Sequence, residues 1–169
     1  MKKVIMISSV VVAVMFLLFY RGLFVNQHVL TSNLIGKTLP LLEGRSLSDH
    51  KVSTSNLKGP YVLNIFASWC DACRYEHDFW VEKSEHYQIV GLAYKDQALK
   101  LKKWLDLYGN PYKLLLLDPS GVLSMGLGVY GTPETYVIDQ KGIVRFRHVG
   151  AMSEYVWQHK FLPILELKS

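Results

Sequence analysis

The apolar positions of this chain fall into one long run near the N-terminus and a series of shorter runs after it. Residues 4–20 carry no charge, and only Ser8 and Ser9 interrupt their apolar character. As a helix this run spans about 26 Å, close to the roughly 30 Å core of a bilayer. Residues 23–25 extend it, with Arg21 placed to snorkel toward the headgroups. Residues 26–35 are polar and unpatterned and read as a tether. Residues 36–42 read as a short extended segment, with 43–46 as its turn, and 53–59 as a loop or a single helical turn. Residues 61–66 form a short, mostly apolar run of the kind that makes a buried strand, and 87–94 and 113–118 repeat it. Residues 74–85 are dense in charge with aromatics spaced through them, which predicts a helix. Residues 97–108 carry Leu99, Leu101, Trp104, Leu105 and Tyr108 at helical spacing, closed by Gly109-Asn110-Pro111. A short helix over 119–127 follows. Residues 135–139 and 142–149 then flank Gln140-Lys141-Gly142 as a hairpin. Ser153 caps a last helix carrying Val156, Trp157, Phe161 and Leu162, bent or broken at Pro163. The order βαβαβαββα predicts parallel strands with crossover helices and an antiparallel edge hairpin.

A length of 169 residues makes one folded domain the default. The expected organisation is an N-terminal membrane anchor over 1–25, a tether over 26–35 and a folded domain over 36–169. A cleaved signal peptide is the rival reading of the first segment, but no small-x-small site follows the apolar run. Lys2 and Lys3 keep the N-terminus in the cytoplasm, which puts the domain outside the inner membrane. The net charge of +5 is largely a property of the anchor. Lys2, Lys3 and Arg21 are three of the 19 basic residues, which leaves 16 against 14 acidic ones. That balance is no nucleic-acid footprint.

The chemistry sits where the first buried run ends, in Asn64-Ile65-Phe66-Ala67-Ser68-Trp69-Cys70-Asp71-Ala72-Cys73, which holds both cysteines of the chain. So close a pair constrains little chain entropy as a staple and reads instead as redox-active. A strand that turns through Trp69 into a helix puts Cys70 at the helix N-terminus, where unpaired N–H groups stabilise a thiolate. Exchange needs one accessible thiolate to attack and a second thiol to release the mixed disulfide. Cys70 meets the first need and Cys73, one turn on and facing inward, the second. The alternative is a zinc half-site, but the chain has no second C-x-x-C and no paired histidines.

At about 100° per residue, Glu76 falls between Phe79 and Trp80 on the side of Cys73, opposite Arg74, Asp78 and Glu85. A carboxylate in that apolar arc is costly, and its pKa rises. Glu76 is either a proton acceptor and donor for Cys73 or a carboxylate reaching a hydrogen-bond partner at the rim of the arc. His77 reads as a solvated helix histidine, with lowering of the cysteine pKa or copper binding as alternatives. Trp69 reads as a lid over the disulfide. In the second informative stretch, residues 128–136, Pro133 follows two glycines and precedes a strand. It is either a cis-Pro loop whose backbone pairs with an extended substrate or an ordinary turn into an edge strand.

Three segments together resemble the thioredoxin superfamily, and more closely its membrane-anchored CcmG/DsbE family of cytochrome c maturation. They are Ile35-Gly36-Lys37-Thr38-Leu39-Pro40, then Ala67-Ser68-Trp69-Cys70 with Cys73-Arg74-Tyr75-Glu76-His77, then Gly128-Val129-Tyr130-Gly131-Thr132-Pro133-Glu134-Thr135. The resemblance implies a thioredoxin-like α/β fold, a central mixed sheet flanked by helices, behind an N-terminal transmembrane helix. It implies Cys70 as attacking and Cys73 as resolving thiol, Pro133 in cis, and acidic Glu76 and Glu134 near the site. Trp69, Thr132, Pro133 and Glu134 are then the substrate-binding residues. No metal and no cofactor beyond the redox-active disulfide is expected. The implied role is keeping the cysteines of apocytochrome c, or of a partner handling it, reduced for haem attachment. Electrons come from a membrane thiol reductase of the CcdA/DsbD kind. The implied location is the inner membrane, single-pass, with the domain facing the periplasm.

The family usually has Cys-Pro-Thr-Cys, and here the middle pair is Asp71-Ala72. A carboxylate beside Cys70 opposes its thiolate, which destabilises the reduced form and makes a stronger reductant. Thr132 and Tyr136 stand where the family usually has Ala and Phe. A disulfide-forming oxidase or general exchange protein is the alternative on the same fold. A copper chaperone, expected to carry C-x-x-x-C and a ligand histidine, is the alternative from another class.

Overall fold

The computed structural model describes residues 2–23 and 33–167, with the side chains of residues 2–5, 9, 22 and 23 outside the described set. Most of the expected tether, residues 26–32, lies outside the described residues. The chain divides into an N-terminal unit, Met1–Leu30, and a second unit, Thr31–Ser169. In the first unit, Lys2–Leu23 is a helix, α1. Among the described residues no helix is long and apolar enough to cross a membrane.

The second unit is built on strands β1 (Glu43–Arg45), β2 (Lys51–Ser53), β3 (Tyr61–Phe66), β4 (Ile89–Tyr94), β5 (Leu114–Asp118), β6 (Glu134–Ile138) and β7 (Val144–Val149). They form one sheet in the order β2-β1-β5-β4-β3-β6-β7. β3, β4 and β5 run parallel, while β6 pairs with β3, and β7 with β6, antiparallel. The helices are α2 (Asp71–Tyr75), α3 (His77–Ser84), α4 (Ala98–Tyr108), α5 (Val122–Gly126), α6 (Glu154–Val156) and α7 (Leu162–Leu165). This is a thioredoxin-like α/β fold with a mixed sheet.

β3 shows why the short apolar runs became central strands. All six of its residues are buried, as in a strand covered on both faces. Val62 and Phe66 enter the core cluster that holds Cys70, Cys73, Trp80 and Trp157, whereas Tyr61, Leu63 and Ile65 enter the opposite cluster with Leu116 and Tyr136. By the two-residue period of a strand, Asn64 shares the face of Val62 and Phe66, toward the cysteines.

Several elements differ from the sequence reading, β2 among them, a strand where none is expected. Residues 43–46, expected as a turn, supply β1, which pairs with β2 along its length and with β5 at Arg45. The chain reverses instead after Ser46, through Asp49 at φ 60°. Sheet pairing there outweighs local turn chemistry. The helix expected over 74–85 starts earlier, at Asp71, and breaks at Glu76, whose ψ is −2°. The final helix begins as expected, with the Ser153 hydroxyl accepting from the Val156 N–H at 3.3 Å. Its bend is a π turn over Trp157–Phe161, placed just before Pro163 rather than at it. A proline without an N–H leaves the ladder one donor short, and the wide turn absorbs the mismatch.

Candidate active site

The segment between β3 and α2 is held from the side by the β4–α4 loop. The buried Asp96 carboxylate accepts from the Ser68 N–H at 2.6 Å, the Ser68 hydroxyl at 2.9 Å and the Gln97 N–H at 2.7 Å. The Trp69 indole N–H donates to the Lys95 carbonyl at 3.2 Å, and Lys95 takes the left-handed conformation, φ 47°. Clamped this way, the chain delivers Cys70 to the N-cap of α2. There Cys70 and Cys73 form a disulfide with their Cα atoms 5.3 Å apart. The Cys73 N–H points at the Cys70 sulfur, 3.1 Å away, and is the donor a Cys70 thiolate requires. Cys70 keeps 8% of its surface exposed and Cys73 2%, so only the first is open to attack by or on a partner. Asp71 and Ala72, between them, are exposed.

Glu76, the C-cap of α2 three residues after Cys73, is 2% exposed. Its Oε1 accepts from the Trp80 indole N–H at 2.8 Å and the Asn64 amide at 3.2 Å, and its Oε2 from the Met152 N–H at 2.5 Å. Burial pushes the carboxyl above its ordinary range, opposed by the donors from Trp80, Met152 and Asn64. The carboxylate is therefore inside the arc rather than at its rim. Among the described residues, three of its four acceptor sites are taken, which leaves one on Oε2. His77, by contrast, is not a solvated histidine. It is 2% exposed, its Nε2 lies 3.0 Å from the Gly109 carbonyl, and its ring meets that of Trp104 edge-on at 4.1 Å. Burial pushes its pKa down. α4 and Gly109 cover the side of α3 where solvent is expected.

The other half of the site is the loop before β6. The Thr132–Pro133 peptide bond is cis. Ile65 pairs with Glu134, so Pro133 lies at the end of β3 that leads to Cys70. The Pro133 carbonyl accepts from the Gly150 N–H at 2.9 Å. Glu134 is fully buried, so it reaches a substrate only through the loop it holds. Its Oε2 takes two nitrogens of Arg147, Nη2 at 2.6 Å and Nε at 2.8 Å, and its Oε1 accepts from the Tyr130 N–H at 3.2 Å. The Arg147 guanidinium also lies 4.9 Å from the Tyr130 ring and donates to the Gly128 carbonyl. Exposed aromatic side chains flank both halves: Trp69 at 57%, Tyr75 and Tyr130.

Sequence reasoning missed Asn64, Asp96, Tyr112 and Arg147. For Asn64 a signal existed, a single amide inside an otherwise apolar strand. Among the described residues, no group of three or more His, Cys, Asp or Glu is placed to hold a metal ion.

Residues 35–160 match the Redoxin family. The chain is 41% identical over 143 residues to the thiol:disulfide interchange protein DsbE of Yersinia pestis, covering 80% of this chain and 75% of that one. It is 40% identical over 142 residues to DsbE of Escherichia coli K12, with 81% and 77% covered. A thioredoxin-family thiol:disulfide interchange protein of Chlorobium tepidum superposes with a TM-score of 0.64 at 26% identity, over 76% of this chain and 95% of that one. A secreted thiol-disulfide isomerase of Corynebacterium glutamicum shares the fold, with a TM-score of 0.68 at 21% identity over 76% and 86%.

Proposed function

Because this chain belongs to the Redoxin family, and within it to the DsbE thiol:disulfide interchange proteins, we propose that it is a membrane-anchored periplasmic reductase of protein disulfides. Its substrate is the cysteine pair of apocytochrome c, or of a partner handling it, kept reduced for haem attachment. A membrane thiol reductase of the CcdA/DsbD kind returns electrons to the Cys70–Cys73 disulfide. Support for the anchor comes from the charge-free residues 4–20 behind Lys2 and Lys3, within helix α1.

The Cys70 thiolate attacks one sulfur of the substrate disulfide, forming a mixed disulfide, and the other substrate sulfur leaves as a thiolate. The Cys73 thiol passes its proton to the open site on Glu76 Oε2. The Cys73 sulfur attacks Cys70, the mixed disulfide breaks, and the second substrate thiolate departs. Two electrons pass from the protein dithiol to the substrate, and the Cys70–Cys73 bond forms. Trp69, Thr132 and Pro133 receive the substrate chain, and Glu134 fixes the loop that carries Thr132 and Pro133. The observation that carries the direction is the pair of carboxylates, Asp71 and Glu76, on the segment that bears both cysteines. Negative charge there opposes a thiolate and favours the disulfide, which drives electrons outward.

The test is equilibration of the reduced full-length chain, in mild detergent, with an oxidised peptide carrying a C-x-x-C-H disulfide. The expected result is an exchange equilibrium constant of about ten or more in favour of reduced peptide and protein disulfide, equivalent to a potential gap of roughly 30 mV. An equilibrium that instead leaves the peptide oxidised and the protein dithiol intact contradicts the reductase reading.

A further inference from the structure

The buried amide of Asn64 joins three separate parts of the site. It faces the cysteines from β3, between Gly91 on β4 and Thr135 on β6, its partners in the sheet register. Both of its N–H bonds are committed, one to Glu76 Oε1 and one to the Thr135 hydroxyl, each at 3.2 Å. Its carbonyl oxygen accepts from the Tyr112 hydroxyl at 3.0 Å. Tyr112 reaches that position by lying over Gly91. A β-carbon there would come within 2.7 Å of the Tyr112 ring, a contact that side chains do not tolerate. The ring is further held by stacking on Phe66, centroids 4.5 Å apart.

We propose that Asn64 and Tyr112 are positioning residues for proton transfer at Cys73: the Tyr112 hydroxyl fixes the Asn64 amide so that it donates to Glu76. The physical argument is the direction of the amide. Turned over, Asn64 would set its carbonyl oxygen against Glu76 Oε1, and that arrangement stands only if Glu76 carries a proton. A hydroxyl donating to the carbonyl oxygen selects the orientation that supports the carboxylate, and it polarises the amide as a donor. Glu76 thus stays ready to accept the Cys73 proton although it is buried.

The groups facing Glu76 come from each element packed on it. They are Asn64 of β3, Trp80 of α3, the Met152 N–H of the β7–α6 loop and Tyr112, with Cys73 three residues before Glu76 on α2. Of these only Tyr112 and Cys73 titrate. Burial, and then the charge of Glu76, hold the Tyr112 hydroxyl protonated, so it stays a donor across the working range. His77 turns toward Gly109, and Glu134 is paired with Arg147.

The inference rests on the reading of Glu76 as the proton acceptor, and the test separates the two. The reduced full-length chain is mixed with an aryl disulfide whose thiolate is coloured. The first burst of colour reports attack by Cys70, and the second reports attack by Cys73 on the mixed disulfide. The acid limb of the second phase is followed against pH in four variants: Glu76→Gln, Asn64→Leu, Tyr112→Phe and the Asn64→Leu/Tyr112→Phe double.

Glu76→Gln is expected to abolish that limb. Asn64→Leu is expected to move it up by about one pH unit, the effect of one lost hydrogen bond to a charged group. Tyr112→Phe, which keeps the stacked ring, is expected to move it in the same direction by roughly half a unit. In the Asn64→Leu background, Tyr112→Phe is expected to add nothing, because the hydroxyl acts through the amide. The first phase keeps its profile throughout. A Tyr112→Phe profile that coincides with the parent overturns the inference while a Glu76→Gln effect leaves the acceptor reading standing. An unchanged Glu76→Gln profile overturns both. Should Asn64→Leu not fold, Tyr112→Phe in the parent chain decides the matter alone.

Discussion

Cys70→Ser is expected to bring disulfide exchange down to the uncatalysed background, whereas Cys73→Ser is expected to accumulate a covalent adduct with its substrate. The asymmetry follows from where the two sulfurs sit. Cys70 caps α2, keeps some exposed surface and has the Cys73 N–H aimed at its sulfur. Serine in its place has no thiolate to offer, and nothing else in the site attacks a disulfide. Cys73 is almost wholly buried, so it meets Cys70 but not the partner. Without it the first attack proceeds and the mixed disulfide has no intramolecular escape. Non-reducing electrophoresis after incubation with an oxidised C-x-x-C-H peptide reads both outcomes. Equal residual turnover in the two variants, or adducts on Cys73 in Cys70→Ser, contradicts the assignment of attacker and resolver.

The largest effect on the fold is expected from Arg147→Met. The variant leaves the fully buried Glu134 carboxylate without its guanidinium, and stranding one member of a buried pair costs about 3–5 kcal/mol. It also frees Tyr130 and the Gly128 carbonyl, so the loop carrying Thr132 and Pro133 loosens where the substrate docks. The Glu134→Gln/Arg147→Met double is expected to recover more than half of that loss. It removes the stranded charge, and a neutral amide oxygen still accepts from the Tyr130 N–H. Urea unfolding of the full-length chain in detergent measures both. A cost below about 1 kcal/mol for the single variant places the pair in the range of surface ion pairs and refutes its role in holding the loop.

How far the sequence disclosed all this depends on the range of the interactions. The central strands were legible because burial on both faces writes a continuous apolar run, as in Tyr61–Phe66. The inward turn of Glu76 was legible because a helix projects its residues at a fixed angle, and Cys73, Glu76 and Trp80 lie close in sequence. What Glu76 meets was not. Asn64 finds Tyr112 and Thr135 across 48 and 71 residues, and Glu76 finds the Met152 amide across 76. No local pattern encodes those distances. β1 was misread for the same reason, since Glu43-Gly44-Arg45 has turn composition and becomes a strand only by pairing with β2 and β5. His77 was misread because helical angles say which side a residue takes but not that α4 covers it. Arg147 carries no local signal in the sequence: it lies opposite Tyr136 across the β6–β7 register and is buried.

Whether electrons leave this protein or enter it is read from the reduction potential of the Cys70–Cys73 couple. Trp69, beside Cys70 and largely exposed, reports the redox state through its fluorescence in a thiol buffer of set potential. With Asp71 and Glu76 both opposing a thiolate, the account predicts a value toward the thioredoxin end of the range, about −270 mV. A value toward the strong-oxidant end, about −120 mV, contradicts it and makes the protein a source of disulfides.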